Sequence, residues 1–482
     1  MIGRTSAGYR VTANCKRPTA NRKPLTPRWP LPERLLQGKM LGPQNHMLNS
    51  SKNFPENPSS GSVESGQETP GINAILQRSH NTQLVLHLFQ LHRRLTRAEI
   101  AARTGLTFQT VANILERLHK RRWVRKLPPQ RLTARGAESA PFELRSDAAC
   151  SIGLQIDRDH ISGLILNLAG EPLARRSVSV LSPSPDQALK TLAKFLKDFR
   201  AIPGAEGHLL GVGIAFSGLY DAIRDQIDHP HLLLAEGWRE LRIKEAFRKL
   251  LNPSRGRGTM ADKTARQVFL IQTDSHAAAV GEYWERFGQA HRCLAYVYFG
   301  IGLGCGIIYR GRHFGGSDGL AGEIAHLPAI LETEQRKTAR LCECGRRGCL
   351  ETYFSFSAFL RDLGPVDWDK KAPEELVKRI RTEKAERYWR WVKQAARRFW
   401  TILPVLGPLL NPDVVLLGGP VPAVLLDDLV AALGEIRRVE RADDRLFYPR
   451  VERARLNQEA ALIGVATGVL YEALRPVFGL KD

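Results

Sequence analysis

Along "NTQLVLHLFQLHR" (81–93), Leu84, Val85, Leu88 and Leu91 recur at helical spacing, which predicts a helix with one buried stripe. In "LTRAEIAARTG" (95–105), Thr96 stands as an N-cap with Glu99 three residues later, a capping box, and Gly105 closes that short helix. "LTFQTVANILERLHKRRWV" (106–124) starts a third helix at Thr107 and turns Val111, Ile114, Leu115 and Leu118 inward. Helix, short helix, glycine turn and longer helix make the helix-turn-helix pattern. "WVRK" and "PFELR" then flank a basic, proline-containing stretch, "LPPQRLTARGAESA", that suits a wing between two short strands. Beyond residue 148 the pattern alternates. Apolar strand candidates are "CSIGLQI", "ISGLILNL", "LLGVGIAF", "CLAYVYFGIG", "CGIIYRG" and "DVVLLGG", with helices over 186–200, 276–287, 353–363, 385–410 and 456–476. This is an α/β chain long enough for two lobes behind the helical module.

Position on the third helix assigns chemistry. Gln109, Thr110 and Asn113 project away from the Val111/Ile114/Leu118 core, at the end that enters a major groove, with Thr107 opening the helix. Asn and Gln bond adenine bidentately, and a Thr methyl packs on thymine. Lys120, Arg121, Arg122, Arg131 and Arg135 are placed for phosphates. The plainer alternative is a packing module whose polar face is merely solvated. Charge weighs against it: 71 Lys and Arg against 49 Asp and Glu leave a net +22, which favours a polyanionic partner, nucleic acid before an acidic membrane surface. No apolar run reaches the eighteen or more residues of a membrane span.

Residues 1–74 are rich in Pro, Ser, Asn, Gly and Arg without apolar periodicity, and are expected to be a disordered basic extension. A transit peptide would look similar, and translation starting at Met40 or Met47 is a further alternative. The seven cysteines are an odd number and scattered, unlike a secreted disulfide framework, so a reducing cytoplasm is expected. Three of them crowd into "CECGRRGCLE" (342–351). In a reducing compartment such a cluster more often binds metal than forms a disulfide, which would leave one thiol over.

Taken in order, "GVGIAFSGLYD" (211–221), "TDSHAAAVGE" (273–282), "FGIGLGCGIIYRG" (299–311), "GSDGLAGEIAH" (316–326), "CECGRRGCLETYFSFSAF" (342–359) and "NPDVVLLGGPV" (411–421) resemble the ROK family of repressors, open reading frames and sugar kinases. The resemblance implies a winged helix-turn-helix over 75–146. A two-lobed actin-like, sugar-kinase (ribonuclease H-like) domain of the ATPase type follows over 148–482. It also implies zinc, with Cys342, Cys344 and Cys349 as thiolates and His326 as the fourth ligand, a Cys₃His set suited to a structural site. Asp274, Glu323, His326 and Glu351 fall where the family contacts sugar hydroxyls, and carboxylates suit polyols because each accepts several hydrogen bonds.

The chain departs from the kinase pattern at the phosphate side. The family hairpin Asp-x-Gly-Gly-Thr is replaced in "GLQIDRDHISG" (153–163): Gln155 stands for the acid, and Asp157, Arg158 and Asp159 for Gly-Gly-Thr. Two added carboxylates repel phosphate at short range, and the lost glycines remove close backbone approach. Ile301 stands where a threonine hydroxyl is usual. Thr273, His276 and Asp318 replace family asparagines, so the preferred sugar is expected to differ from glucose. The expectation is a non-enzymatic transcription regulator, acting as a homodimer or higher oligomer on operator DNA and responding to a small sugar. The alternatives are an active sugar kinase with a DNA-binding arm, and a constitutive DNA-binding protein with a vestigial cleft.

Overall fold

The computed structural model describes residues 74–129, 140–202, 208–221, 224–228, 235–251, 268–285, 292–330, 335, 337–364 and 373–474. The expectation for the N-terminal extension, up to residue 73, falls outside these residues, as do those for Arg131 and Arg135. Helix α1 (Ala74–His92) buries Leu84, Val85 and Leu88 as the spacing predicts, and Leu86 and Phe89 besides. The side chain of Leu91 lies outside the described set. After a two-residue strand β1 (Arg94–Leu95), α2 (Arg97–Thr104) carries the complete capping box: Thr96 Oγ1 accepts from Glu99 N–H at 3.2 Å, and Glu99 accepts from Thr96 N–H at 2.8 Å. Gly105 ends it at φ +70°, a conformation that costs a glycine nothing. Helix α3 (Phe108–Lys120) is N-capped by Thr107 and buries Val111, Ile114, Leu115 and Leu118. Strands β2 (Val124–Lys126) and β3 (Phe142–Leu144) pair antiparallel, and β1 adds on the other side of β3. Three helices with a three-stranded sheet is the element order of a winged helix.

The chain then builds β4 (Ala149–Ile156), β5 (His160–Asn167), β6 (Pro172–Ser179), α4 (Pro185–Arg200), β7 (His208–Phe216), the hairpin β8 (Leu219–Asp221) and β9 (Gln226–Asp228), α5 (Ile243–Leu251) and β10 (Val268–Thr273). The main sheet runs β10-β7-β4-β5-β6, with β4, β5 and β6 antiparallel and β7 and β10 parallel to β4. Helix α6 (Asp274–Glu285) leads to β11 (Cys293–Phe299), β12 (Leu303–Tyr309) and β13 (Arg312–His313). Next come α7 (Phe356–Leu363), α8 (Pro373–Glu383), α9 (Ala385–Trp400), α10 (Leu403–Leu410), β14 (Val414–Gly418), α11 (Ala423–Val439), β15 (Val451–Arg453) and α12 (Ala460–Leu474). The second sheet, β13-β12-β11-β14-β15, repeats the topology of the first: three antiparallel strands, then two parallel to the opening one. This is the expected two-lobed sugar-kinase architecture.

The lobes share two helices, α6 and α12, which cross on small residues. A Cβ at Gly464 of α12 would collide with the carbonyl of Ala277 on α6, and one at Gly281 would sit 2.5 Å from Ala460 O. Buried Glu282 on α6 accepts from the N–H groups of Arg455 (2.6 Å) and Leu456 (3.0 Å), which fixes how the chain enters α12. The far end of α12 reaches the N-terminal module, where Leu470 and Leu474 join Val85, Leu86 and Phe89 of α1 in one core. That second packing surface is why α1 is buried beyond its predicted stripe.

Two helix expectations change. The helix predicted over 385–410 breaks at Thr401–Ile402, because Pro404 restarts a separate α10. The helices predicted from 276, 353 and 456 begin at Asp274, Phe356 and Ala460.

Candidate functional site

Strand ends and loops of both lobes meet around Asp274, the first residue of α6. Its carboxylate is half-buried and accepts from Ser217 Oγ at 2.9 Å and from Ser275 N–H at 2.7 Å. Asp157, at the β4–β5 turn, reaches the same hydroxyl at 3.5 Å and accepts from its neighbour Arg158 N–H at 2.7 Å and Gln155 Nε2 at 3.4 Å. Burial, with the charge of Asp157 beside it, pushes the Asp274 carboxyl up to about 7. Asp157 is also raised, chiefly by burial. Only one of the two added acids takes this position: Asp159 instead pairs with His160 Nδ1 at 2.5 Å. Ser217, the hydroxyl between the two half-buried acids, lies inside the "GVGIAFSGLYD" motif; a small polar residue just before Gly218 at the strand end is its one sequence signal.

The opposite wall comes from the loop after β13. Gly322 (φ +98°) passes so close to β12 that a Cβ would strike the carbonyl of Cys305, and this approach sets Glu323 into the site. Burial and the charge of Glu351 push Glu323 up to about 7. Glu351 is raised by burial, while Leu303 N–H, donating at 3.0 Å, opposes the shift. His276 bonds Ala321 O through Nε2 at 3.1 Å, and its ring lies 4.2 Å from that of His313. Asp318 sits on the exposed rim of the loop. Ile301, the residue in the threonine position, packs against the apolar core of the second lobe.

The cysteine cluster forms as the spacing suggests. Gly345 (φ +83°) and Gly348 (φ +77°) turn the backbone, Gly345 N–H donates to Cys342 O at 2.9 Å, and Cys342 N–H donates to Arg346 O at 2.7 Å. A bridge pairs Pro328 with Cys349, which brings the segment following His326 alongside the knuckle. The ligand atoms of His326, Cys342, Cys344 and Cys349 lie within 4.8 Å of one another. Cys342 Sγ is 3.7 Å from His326 Nδ1, and Cys344 Sγ is 3.7 Å from Cys349 Sγ. Zinc–thiolate bonds of about 2.3 Å in a tetrahedron put sulfurs about 3.8 Å apart, so the donor set and spacing fit a metal ion with little movement. His326 faces the sulfurs with Nδ1.

On α3, Gln109 and Asn113 are exposed and bonded to each other, Nε2 to Oδ1 at 3.1 Å, as helical neighbours four apart. Thr110 shares a 2.8 Å hydroxyl contact with the capping Thr107. Arg121 and Arg122 are exposed, whereas Lys120 is paired with Glu116 at 2.8 Å. Phe108, 57% exposed at the front of α3, went unremarked in the sequence and stands beside the polar row.

The ROK family model matches residues 151–471. The chain belongs to the ROK family. A xylose repressor of Caldicellulosiruptor bescii is 23% identical over 425 residues, covering 83% of this chain and 98% of its own. A glucokinase of Halalkalibacterium halodurans is 27% identical over 157 residues, 33% of this chain and 41% of that protein. A solved ROK family transcriptional regulator, described as a homologue of the E. coli MLC protein, superposes with a TM-score of 0.61. It has 17% identity and spans 83% of this chain and 97% of its own. The likeness to the repressor includes the N-terminal module, whereas the likeness to the kinase covers a third of the chain. No helix among the described residues is long and apolar enough to cross a membrane.

Proposed function

We propose that this ROK protein is a sugar-responsive transcription regulator that binds its sugar without phosphorylating it. In this reading Thr107, Gln109, Thr110 and Asn113 face the operator bases, Arg121 and Arg122 hold phosphates, and Asp274, Glu323, His326 and Glu351 bind sugar hydroxyls. The observation that carries the reading is Asp157. It occupies the hairpin that a kinase keeps open for polyphosphate, and it is joined to Asp274 through one serine hydroxyl. A second carboxyl there repels a phosphate oxygen, and phosphoryl transfer depends on donors and cations at that position. Similarity over 83% of this chain and 98% of a protein named xylose repressor makes a pentose the first candidate effector.

His326, Cys342, Cys344 and Cys349 would hold one Zn²⁺ in a four-ligand structural site, bracing the loops that carry Glu323 and Glu351. A cytoplasmic homodimer with two-fold symmetry matches an operator of two half-sites.

The test is a thermal-shift screen of the intact protein against xylose and other aldoses, with and without ATP and Mg²⁺. Operator fragments selected from a random pool are followed by anisotropy in parallel. A sugar that raises the melting temperature and changes operator affinity, with ATP adding nothing, supports the reading. Sugar phosphate formed above background would replace it with a kinase that carries a DNA-binding arm.

A further inference from the structure

Helix α3 presents two rows side by side. Gln109 and Asn113, exposed and bonded to each other at 3.1 Å, form a polar row. One residue earlier at each level stand Phe108, 57% exposed, and Ala112, half-buried. Residues four apart share one line of a helix, so these two make an apolar row between the amides and the buried face at Leu115. Among the described residues of the winged helix, Phe108 is the one large apolar side chain left exposed. The core does without it: Val111, Ile114, Leu115 and Leu118 belong to the apolar cluster of the module, and Phe108 does not.

The cap of α3 holds the ring at the leading end of the helix. Thr107 Oγ1 accepts from Thr110 N–H at 3.2 Å and meets Thr110 Oγ1 at 2.8 Å, which fixes the first turn. Those two hydroxyls are engaged with each other, and Thr110 lies half-buried on the far side of the amide row. In a helix-turn-helix this end of the third helix meets base edges. An A·T pair shows adenine N7 and N6 beside thymine O4 and the C5 methyl in the major groove. Amide side chains suit the adenine edge. A phenyl ring has neither donor nor acceptor, so the methyl is the group it matches there. Against a G·C pair the same ring would cover donors and acceptors without bonding them, which is costly.

We infer that Phe108 is a specificity-determining residue that packs on a thymine methyl in each operator half-site, beside the adenine taken by Gln109 and Asn113. The order of groups across α3, amides next to a ring, repeats the order of groups across one A·T pair or two neighbouring ones. This inference rests on the regulator reading and adds to it a base that the polar row does not select.

The experiment uses the full chain and operator fragments enriched from a random DNA pool, with each thymine replaced in turn by uracil, which deletes only the methyl. Affinity is read by anisotropy at fixed salt. A buried methyl is worth about fourfold in affinity, so one thymine per half-site should show a loss of about that size in the parent protein. In Phe108→Ala the same uracil should cost nothing measurable, and in Phe108→Leu, which keeps an apolar side chain, part of the loss should return. The salt dependence of binding should be equal in the parent and Phe108→Ala, because no phosphate contact is removed. Retained binding of Phe108→Ala to random DNA, with an unchanged circular dichroism spectrum, shows that the variant is folded. An equal uracil penalty in the parent and Phe108→Ala at every thymine, or no thymine whose methyl matters, would overturn the inference and leave the regulator reading standing. A changed oligomeric mass of Phe108→Ala in solution would also overturn it, by making the ring a contact between copies of the chain. A protein that enriches no sequence from the pool would overturn the regulator reading and this inference with it.

Discussion

Replacing Asp274 by Asn should change how the stability of this protein depends on pH. In the folded chain burial and the neighbouring Asp157 push this carboxyl up to about 7, whereas an unfolded aspartate titrates near 4. The folded state therefore binds the proton more tightly. Its contribution to stability is fully present below about pH 4 and is lost as pH rises through about 7. That window spans roughly three pH units, and at 1.36 kcal/mol each the ionised form loses on the order of 4 kcal/mol. Asparagine has no charge to desolvate, but it has one oxygen where the carboxylate uses two, for Ser217 Oγ and Ser275 N–H. Losing one of those bonds costs about 1–3 kcal/mol at every pH. The variant should thus be less stable than the parent at about pH 4.5 and more stable, by about 1–3 kcal/mol, at about pH 8. Urea unfolding of both proteins across that range measures the difference, and the two curves should cross. Parallel curves would refute the placement of a strained carboxyl at this point of the cleft.

Three further outcomes are expected. Asn113→Ala should cost about 1–3 kcal/mol on a selected operator and almost nothing on random DNA, measured by anisotropy at fixed salt; equal losses on both would make Asn113 a backbone contact. Cys344→Ser should purify with far less than one zinc per chain by elemental analysis, and the parent should lose thermal stability when a chelator removes the metal. Gly464→Val should destabilise the protein by several kcal/mol in thermal unfolding, because its side chain has no room against the Ala277 carbonyl on α6.

Much of this architecture is written locally. The capping box at Thr96, the Gly105 turn and the inner face of α3 are short-range signals, and each is present where the sequence puts it. The His326–cysteine cluster that could hold a metal ion is as legible, because three of its four residues share one knuckle. What stayed hidden depends on distant partners. Strand β6 has a mostly exposed polar face, held by pairing with β5, so it carries no apolar alternation to find. Strand β10 takes its place only by pairing with β7, far back along the chain. The turn of Asp159 toward His160, away from the cleft, follows from side-chain pairing that spacing does not encode. Ser217 becomes meaningful only once β7 brings it between Asp157 and Asp274.

The closing of the first lobe by α12 has a consequence for biosynthesis. The face of β4 at Gly153 and of β7 at Gly213 is covered by Leu462, Val465 and Ala466, and the α1 core is completed by Leu470 and Leu474. These five α12 residues emerge from the ribosome more than 300 positions after helix α3 has been made. At about 5–20 residues per second, that helix waits on the order of a minute or less for the segment that anchors it. A nascent or prematurely terminated chain therefore carries α1 and α3 without the last part of their core, and only the nearly complete polypeptide closes it.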